Sequence, residues 1–539
     1  MQKPSEYSFL LLTSLDRGDP QGYRHPTKGP MMFRWKATAA TIAIAALALT
    51  GCAGAAEDGG SGDGSGGTLT LGAIIAPTTF DPSGAEWGNR APYYQAVFDT
   101  LLLATPEGTI EPWLATDWSY NDDNTVLTLT IRDDVTFSDD SKLTAQVVVD
   151  NLNRFKTGTS PDANYFADVA SFEAPDDTTV VITLNAPNPA LLNYLTRDPG
   201  LVGSGESLDN DDLATNPIGS GPYVLDTAAT VTGTSYTYTK NPDYWNPDVQ
   251  HYDKLVINVL ADATASLNAI KAGEANGVKL ASNDNLSEVE GAGWTVNANE
   301  LDFQGLLLLD RAGTMNPALA DVRVRQALNY AFDRDGLLQA LQLGNGTVTT
   351  QVFPESSAAY DPELDDYYSY DPEKAKELLA EAGYASGLTL KMPSSTLLGA
   401  TTYTLIEQQL NDVGIQVEYT DPGNNFIADL LAPKFAQSFM ALEQNPDWQL
   451  IQFMIAPTAI FNPFHYDDPK VDEYIQQIQF GDEATQASVA KELNKYIVEQ
   501  AWFAPFYRVQ GSFATDANTT VEVLPTNAFP AIYDFTPKS

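Results

Sequence analysis

Between Leu127 and Ile131 apolar and polar residues alternate. Leu127, Leu129 and Ile131 fall on one face and Thr128 and Thr130 on the other, the period of a half-buried strand. Val180 to Leu184 follows the Asp176-Asp177 turn, and these short strands predict sheet edges of a mixed domain. Thr234 to Lys240 sets Tyr236 and Tyr238 among small polar residues. Leu255 to Leu260 is an apolar run of buried-strand length.

Helical spacing takes over further along. From Asp321, the residues Val324, Ala327, Leu328, Ala331 and Phe332 recur at offsets of three and four, which places them on one helix face. A second helix begins at Asp371 with Pro372 in its first position, carries Ala375, Leu378, Leu379 and Ala382 on one face, and stops at Gly383. Asp468-Pro469 opens a third, with Val471, Tyr474, Ile475 and Ile478. Strands interleaved with helices predict α/β lobes. No internal repeat is visible.

The N-terminal segment follows neither period. Arg34 and Lys36 precede an apolar run from Ala37 to Leu49 that stops at Gly51-Cys52, the layout of a secretory signal. The run is shorter than the ~20 residues that cross a bilayer, and no other stretch is long and apolar enough to do so. Leu49-Thr50-Gly51-Cys52 resembles a lipobox, so Cys52 is expected to take a lipid and become the mature N-terminus. As the only cysteine it has no internal disulfide partner. Residues 1–30 lie upstream of an alternative start at Met31 or Met32 and are expected to be a non-native extension, with the signal peptide over 31–51. The Gly-, Ser- and acid-rich stretch within 52–67 is too poor in apolar groups to order itself and is expected to be a flexible tether.

Charge narrows the partners. With 29 Lys and Arg against 71 Asp and Glu, a formal net charge of -42, the chain is unsuited to nucleic acid. The surplus acid reads as solubility in a secreted protein. The length from Thr68 to Ser539 exceeds what one core accommodates, so two or more lobes are expected.

Seven segments then occur in a familiar order. Thr79-Phe80-Asp81-Pro82 comes first. Leu127 to Val148 is similar to an F-x-L-R-x-G-V-x-F-x-D-G-x-x-L-T-A-x-D-V signature. Asn216-Pro-Ile-Gly-Ser-Gly-Pro-Tyr and Asn241-Pro-Asp-Tyr-Trp245 follow. The last three are Asp321-Val-Arg-Val-Arg-Gln-Ala-Leu, the helix from Tyr370 to Gly383, and Leu410 to Val417. The order resembles the family-5 extracellular solute-binding proteins, the oligopeptide, dipeptide and nickel receptors of ABC importers. Most of these residues read as scaffold. Gly219, Gly221 and Pro222 look like turn formers, Asp81-Pro82 like a strand-end turn and Trp245 like an aromatic anchor, while Arg323 and Arg325 sit where they can pair with acids.

The resemblance implies an α/β, two-lobed periplasmic-binding-protein-like fold of type II, with an extra small domain in the first lobe. The first lobe is expected over 68–108, 186–300 and 502–539, the small domain over 109–185, and the second lobe over 301–501. It also implies a ligand enclosed as the lobes close, in a concave interlobe cleft. Peptide-binding members are expected to carry an aspartate in a Trp-x-x-Asp segment of the second lobe, paired with the peptide's α-ammonium. Counting back from Asn462, the corresponding position here is Gln444. Either Glu443, by a one-residue shift, or Asp447 can replace the missing acid; alternatively Gln444 bonds a neutral ligand through its amide. Both readings stay open.

Gln444, Asn445, Trp448 and Gln452 form a polar and aromatic cluster that suits a cleft, the alternative being a surface loop with one packed tryptophan. In the first lobe Trp87, Asn89, Tyr93 and Tyr94 follow the first strand, where relatives border the cleft; core packing of the tyrosines is the alternative. His25, His251 and His465 are too scattered for a metal site or a catalytic triad. There is no P-loop, so the ATPase is expected to be another protein. A secreted glycosidase with a carboxylate pair is the remaining enzyme reading, and it leaves the seven segments unexplained. The expectation is therefore a non-enzymatic, cofactor-free, monomeric receptor. Its ligand would be a small solute, most often a peptide, its partners an ABC permease and ATPase, and its place the extracytoplasmic face of the cell membrane, held by lipid on Cys52.

Overall fold

The alternating run is the strand Val126–Ile131, with Leu127, Leu129 and Ile131 buried. It pairs antiparallel with Ala115–Tyr120 and Thr179–Leu184, and Val169–Asp176 completes a four-stranded sheet. Helix Ala145–Lys156 packs on this sheet through Val148, Val149, Leu152 and Phe155; the Thr144 hydroxyl caps it by accepting from the Val147 N–H. These details come from a computed structural model that describes residues 66–538 apart from Glu107, Pro446 and Thr526. The expected extension, signal peptide, Cys52 and the tether as far as Ser65 lie outside the described residues, as does His25.

The apolar run at Leu255 becomes Lys254–Val259, and the tyrosine run becomes Ser235–Lys240, with Tyr236 and Tyr238 buried. Both join one large sheet. Its order is Tyr223–Leu225, Ser235–Lys240, Lys254–Val259, Thr68–Ala73, Gly277–Lys279, Phe503–Thr515, Thr295–Leu308, Gln437–Glu443, with Gly346–Val348 also paired to Phe503–Thr515. Two of the hydrophobic cores among the described residues flank it. One gathers Leu69, Leu71, Phe98, Tyr238, Leu255 and Ile257 and takes in the buried face of the four-stranded sheet. The other gathers Leu306, Leu308, Leu328, Phe332, Leu390, Ile406, Phe439 and Phe506. The long strands Thr295–Leu308 and Phe503–Thr515 run antiparallel from Thr295↔Thr515 to Leu307↔Phe503 and pass from one core to the other. They are the crossover between two lobes.

Helix ends follow the sequence signals because caps are local. Asp321, Asp371 and Asp468 each accept a backbone N–H in the first turn of Val322–Tyr330, Pro372–Glu381 and Pro469–Phe480. The first of these stops at Tyr330, two residues short of Phe332, which packs in the second core from beyond the helix end. Arg323 pairs with Asp321 at 2.6 Å. Arg325 instead turns inward and donates to the carbonyls of Leu319 and Gln500 at 2.7 and 2.9 Å.

The glycine-rich turn exists for close approach. A Cβ at Gly219 would lie 2.0 Å from the Val97 carbonyl oxygen, and one at Gly221 2.5 Å from the Val97 carbonyl carbon. Beside this turn, the buried Asp99 accepts from Trp113 Nε1, Ser220 Oγ, Tyr244 OH and Trp245 Nε1 at 2.8, 2.8, 2.9 and 3.1 Å. Trp245 is thus anchored by a hydrogen bond as well as by packing on Trp113.

Candidate binding cleft

The crossover strands are irregular where the lobes meet. Their register shifts between Glu300 and Asp302 and again between Gln304 and Gly305. A bulge leaves a residue unpaired and bends the strand, which suits a joint between two rigid bodies. Asp302 at this point is the strand partner of Glu443, the last residue of Gln437–Glu443. The Gln444 N–H then donates to the Leu301 carbonyl at 2.7 Å. Glu443 is thereby fixed at the lip of the second lobe, facing the first.

Three polar contacts cross the cleft. Arg197 Nη2 stands 3.4 Å from Glu443 Oε1, Gln449 Nε2 donates to the Tyr165 hydroxyl at 2.7 Å, and Gln479 Nε2 donates to the Pro187 carbonyl at 3.0 Å. Tyr165 is held for this by stacking on Tyr194, with ring centres 4.2 Å apart and planes 10° from parallel. Arg197 follows the apolar segment Leu191–Leu195, whose ends pack in the first core.

Charge is concentrated behind these contacts. Asp162 and Asp198 lie close to each other, and burial pushes both carboxyls up, Asp198 well above the usual carboxylate range. Arg197 is partly desolvated, yet Glu443, Tyr165, Asp162 and Asp198 around it hold its guanidinium firmly protonated. On the crossover, burial pushes Asp302 up to about 6, with Glu443 adding to the shift and Lys279 opposing it. Burial brings Lys279 down to about 8, against the attraction of Asp302.

The expected site residues divide. Glu443 faces Arg197 across the cleft with its side chain 47% exposed. Gln444 and Asn445, both buried, each leave a side-chain oxygen without a hydrogen-bond partner; the other end of the Gln444 amide donates to the Val352 carbonyl at 3.0 Å. Asn89 Oδ1 is likewise buried and unpartnered. Trp448 is buried in the second lobe, and Gln452 is exposed on the turn Ile451–Ile455.

Four candidates are engaged within their own lobes. Asp447 is committed within the second lobe: it accepts from Ser357 Oγ and from the N–H groups of Ala358 and Ala359, the latter two at 3.2 Å. Both of its oxygens are engaged by donors of its own lobe. Tyr93 and Tyr94 are core residues. Tyr93 donates to the Ile75 carbonyl at 3.1 Å and packs edge-on against Tyr236, and Tyr94 packs edge-on against Phe80. Trp87 is buried with its Nε1 donating to Asn527 Oδ1 at 3.1 Å, inside the first lobe.

Arg197, Asp162, Asp198, Tyr165, Lys279, Asp302 and Gln449 were not anticipated. A signal existed for some of them. Arg197-Asp198 is the only charged pair between Ala190 and Ser204, and Lys279 is a lone cation in an otherwise apolar strand. Among the described residues no group of three or more His, Cys, Asp or Glu side chains is placed to hold a metal ion. No described helix is long and apolar enough to cross a membrane.

Comparison with known proteins agrees with this architecture. The chain is 27% identical over 454 residues to the glutathione-binding protein GsiB of Shigella dysenteriae, covering 79% of this chain and 86% of that one. It superposes on HbpA2 from Haemophilus parasuis with a TM-score of 0.78 at 24% identity, over 88% of this chain and 100% of the other. The periplasmic binding protein DppA from Helicobacter pylori, solved with the peptide STSA, gives a TM-score of 0.70 at 21% identity, over 88% and 99%. Residues 109–466 match the profile of the bacterial extracellular solute-binding proteins, family 5 (middle). A two-lobed α/β body with its polar contacts gathered at the joint, and a family match over most of its length, mean that the chain belongs to the family-5 extracellular solute-binding proteins, substrate receptors of ABC importers and not enzymes.

Proposed function

We propose that this protein is a lipid-anchored extracytoplasmic receptor that encloses a short peptide between its lobes and hands it to an ABC permease and its ATPase. The observation that carries the peptide reading is the Arg197–Glu443 pair. At 3.4 Å, with Glu443 47% exposed, it is a long contact that a ligand can displace. A zwitterion replaces the one pair by two, its ammonium on Glu443 and its carboxylate on Arg197, so neither protein charge is left unmatched as the cleft dries. Ligand then favours the closed arrangement through contacts that exist only when both lobes meet. The relatives named for glutathione and solved with a peptide are in keeping with this reading.

The lobe boundaries at 108, 185 and 300, the monomeric state and the lipid on Cys52 belong to the same proposal and rest on the sequence; Ala504, Phe506 and Tyr507, packed in the second core, favour a return to the first lobe beyond Tyr507 rather than at 501. Lipoprotein processing supplies two or three acyl chains, enough to hold the protein at a membrane. A neutral solute is the second reading, favoured by the unpartnered oxygens of Gln444 and Asn445, which can accept from hydroxyl or amide groups.

Thermal-shift and calorimetric screening after ligand stripping tests both, because a ligand that binds only the native state raises the melting temperature. Di- to pentapeptides with a free N-terminus should bind and their N-acetylated forms should not. Binding of oligosaccharides or chelated nickel with no peptide binding would replace the peptide reading by the second one. Turnover of a bound molecule would contradict the receptor role.

A further inference from the structure

Arg197 is not matched one to one. Its guanidinium faces Glu443 from the second lobe and both Asp162 and Asp198 from its own. Lys279 likewise faces Asp302, which is itself close to Glu443. Four carboxyl groups thus meet two cations at the joint. Asp198 is 1% exposed, and its Oδ2 accepts from Ser160 Oγ at 3.2 Å. Its Oδ1 has no donor from the protein unless a proton is shared with Asp162. The other titratable neighbours are Tyr165, Tyr194 and Tyr94, phenols that burial keeps neutral.

The second lobe supplies an independent observation. Gln444 and Asn445 are 4% and 5% exposed, each with an unpartnered oxygen. They lie between Glu443 and Gln449, the residues that cross to Arg197 and Tyr165. Asp198 Oδ1 in the first lobe and Gln444 Oε1 and Asn445 Oδ1 in the second are thus buried acceptors without a donor, while Arg197 Nε is a donor without an acceptor. Buried polar atoms are rarely left unpaired, so the missing partner is rich in donors.

We propose that the Asp162–Asp198 pair is a subsite for a cationic side chain of the ligand, an ammonium or a guanidinium, distinct from the place of the α-ammonium at Glu443. This rests on the peptide reading only for the remainder of the ligand. The selected peptides carry a net positive charge, and the preference arises from the local surplus of carboxyl groups rather than from the net charge of the chain. On binding, the cation takes the place of the shared proton, which leaves to solvent; one proton is released per ligand bound.

Calorimetry on the full-length protein tests this with Ala-Lys-Ala, Ala-Ala-Ala, Ala-Glu-Ala and 1,5-diaminopentane, each in two buffers of different ionisation enthalpy. Ala-Lys-Ala should bind on the order of tenfold more tightly than Ala-Ala-Ala, about 1.4 kcal/mol, and release one more proton. In Asp198→Asn and Asp162→Asn, with melting temperatures checked, that advantage and the extra proton should both disappear while Ala-Ala-Ala binds as before. Equal affinity for Ala-Lys-Ala and Ala-Glu-Ala, or a lysine advantage that survives both variants, overturns the subsite. If no peptide binds but the diamine does, and Asp198→Asn abolishes it, the subsite stands and the peptide reading falls. If neither peptide nor diamine binds, both fall.

Discussion

Arg197 and Glu443, 246 residues apart in the chain, meet at 3.4 Å across the cleft, one from each lobe. The contact joins the turn after Leu191–Tyr194 to the end of Gln437–Glu443. It therefore exists only in the arrangement where the lobes approach. On the proposed function, a ligand takes the place of this charge pair.

Glu443→Gln keeps the side-chain volume and removes the charge. Affinity for peptides with a free N-terminus should fall at least tenfold, about 1.4 kcal/mol or more, because a buried ammonium would lose its partner. Calorimetry on the variant and on the wild type checks this, and an unchanged Kd would move the ammonium elsewhere.

Asp447 should matter to stability and not to ligand. In Asp447→Ala the Ser357 hydroxyl and the Ala358 and Ala359 N–H groups lose their acceptor, which should cost about 2 kcal/mol. Denaturant unfolding reads that loss. Peptide Kd in the folded variant should stay within about threefold of wild type.

Asp302 gives the joint a pH dependence of definite sign. Its carboxyl is raised to about 6 in the folded protein from an ordinary value of 3.8. The folded state thus holds the proton more tightly than the unfolded one. The contribution is fully present below the ordinary value and is lost as pH rises through about 6. Melting temperatures measured from pH 4 to pH 7 should fall more steeply in the wild type than in Asp302→Asn, and parallel curves would show that this group does not titrate in the window.

The lipid anchor has its own test. Labelled palmitate should enter the wild-type protein and not Cys52→Ala, and only the wild type should stay with the membrane fraction. Equal labelling of both would refute the anchor at Cys52.

Much of the scaffold was legible in the sequence, for a local reason. A cap needs an Asp and an N–H two or three residues on, so Asp321, Asp371 and Asp468 could be read directly. Strand alternation at Leu127, Leu129 and Ile131 needs only one buried face. The turn at Gly219 and Gly221 was marked by residue type, although the crowding that demands it comes from Val97, more than 100 residues earlier.

The cleft was legible only in outline. Sequence singled out the segment from Glu443 to Gln452 but left Glu443, Gln444 and Asp447 undecided, since all three are polar and adjacent. Tertiary structure separated them by what lies opposite: Ser357 and its neighbouring N–H groups consume Asp447, the Val352 carbonyl takes one end of Gln444, and Arg197 faces Glu443. Tyr93 and Tyr94 went to the core for the same reason, because an aromatic ring beside the first strand packs inward when Tyr236 and Phe80 are there to receive it. Residue order determined the elements and the family. Which charges are paired, and which stay partly exposed at the cleft, depended on partners brought from distant parts of the chain by the fold.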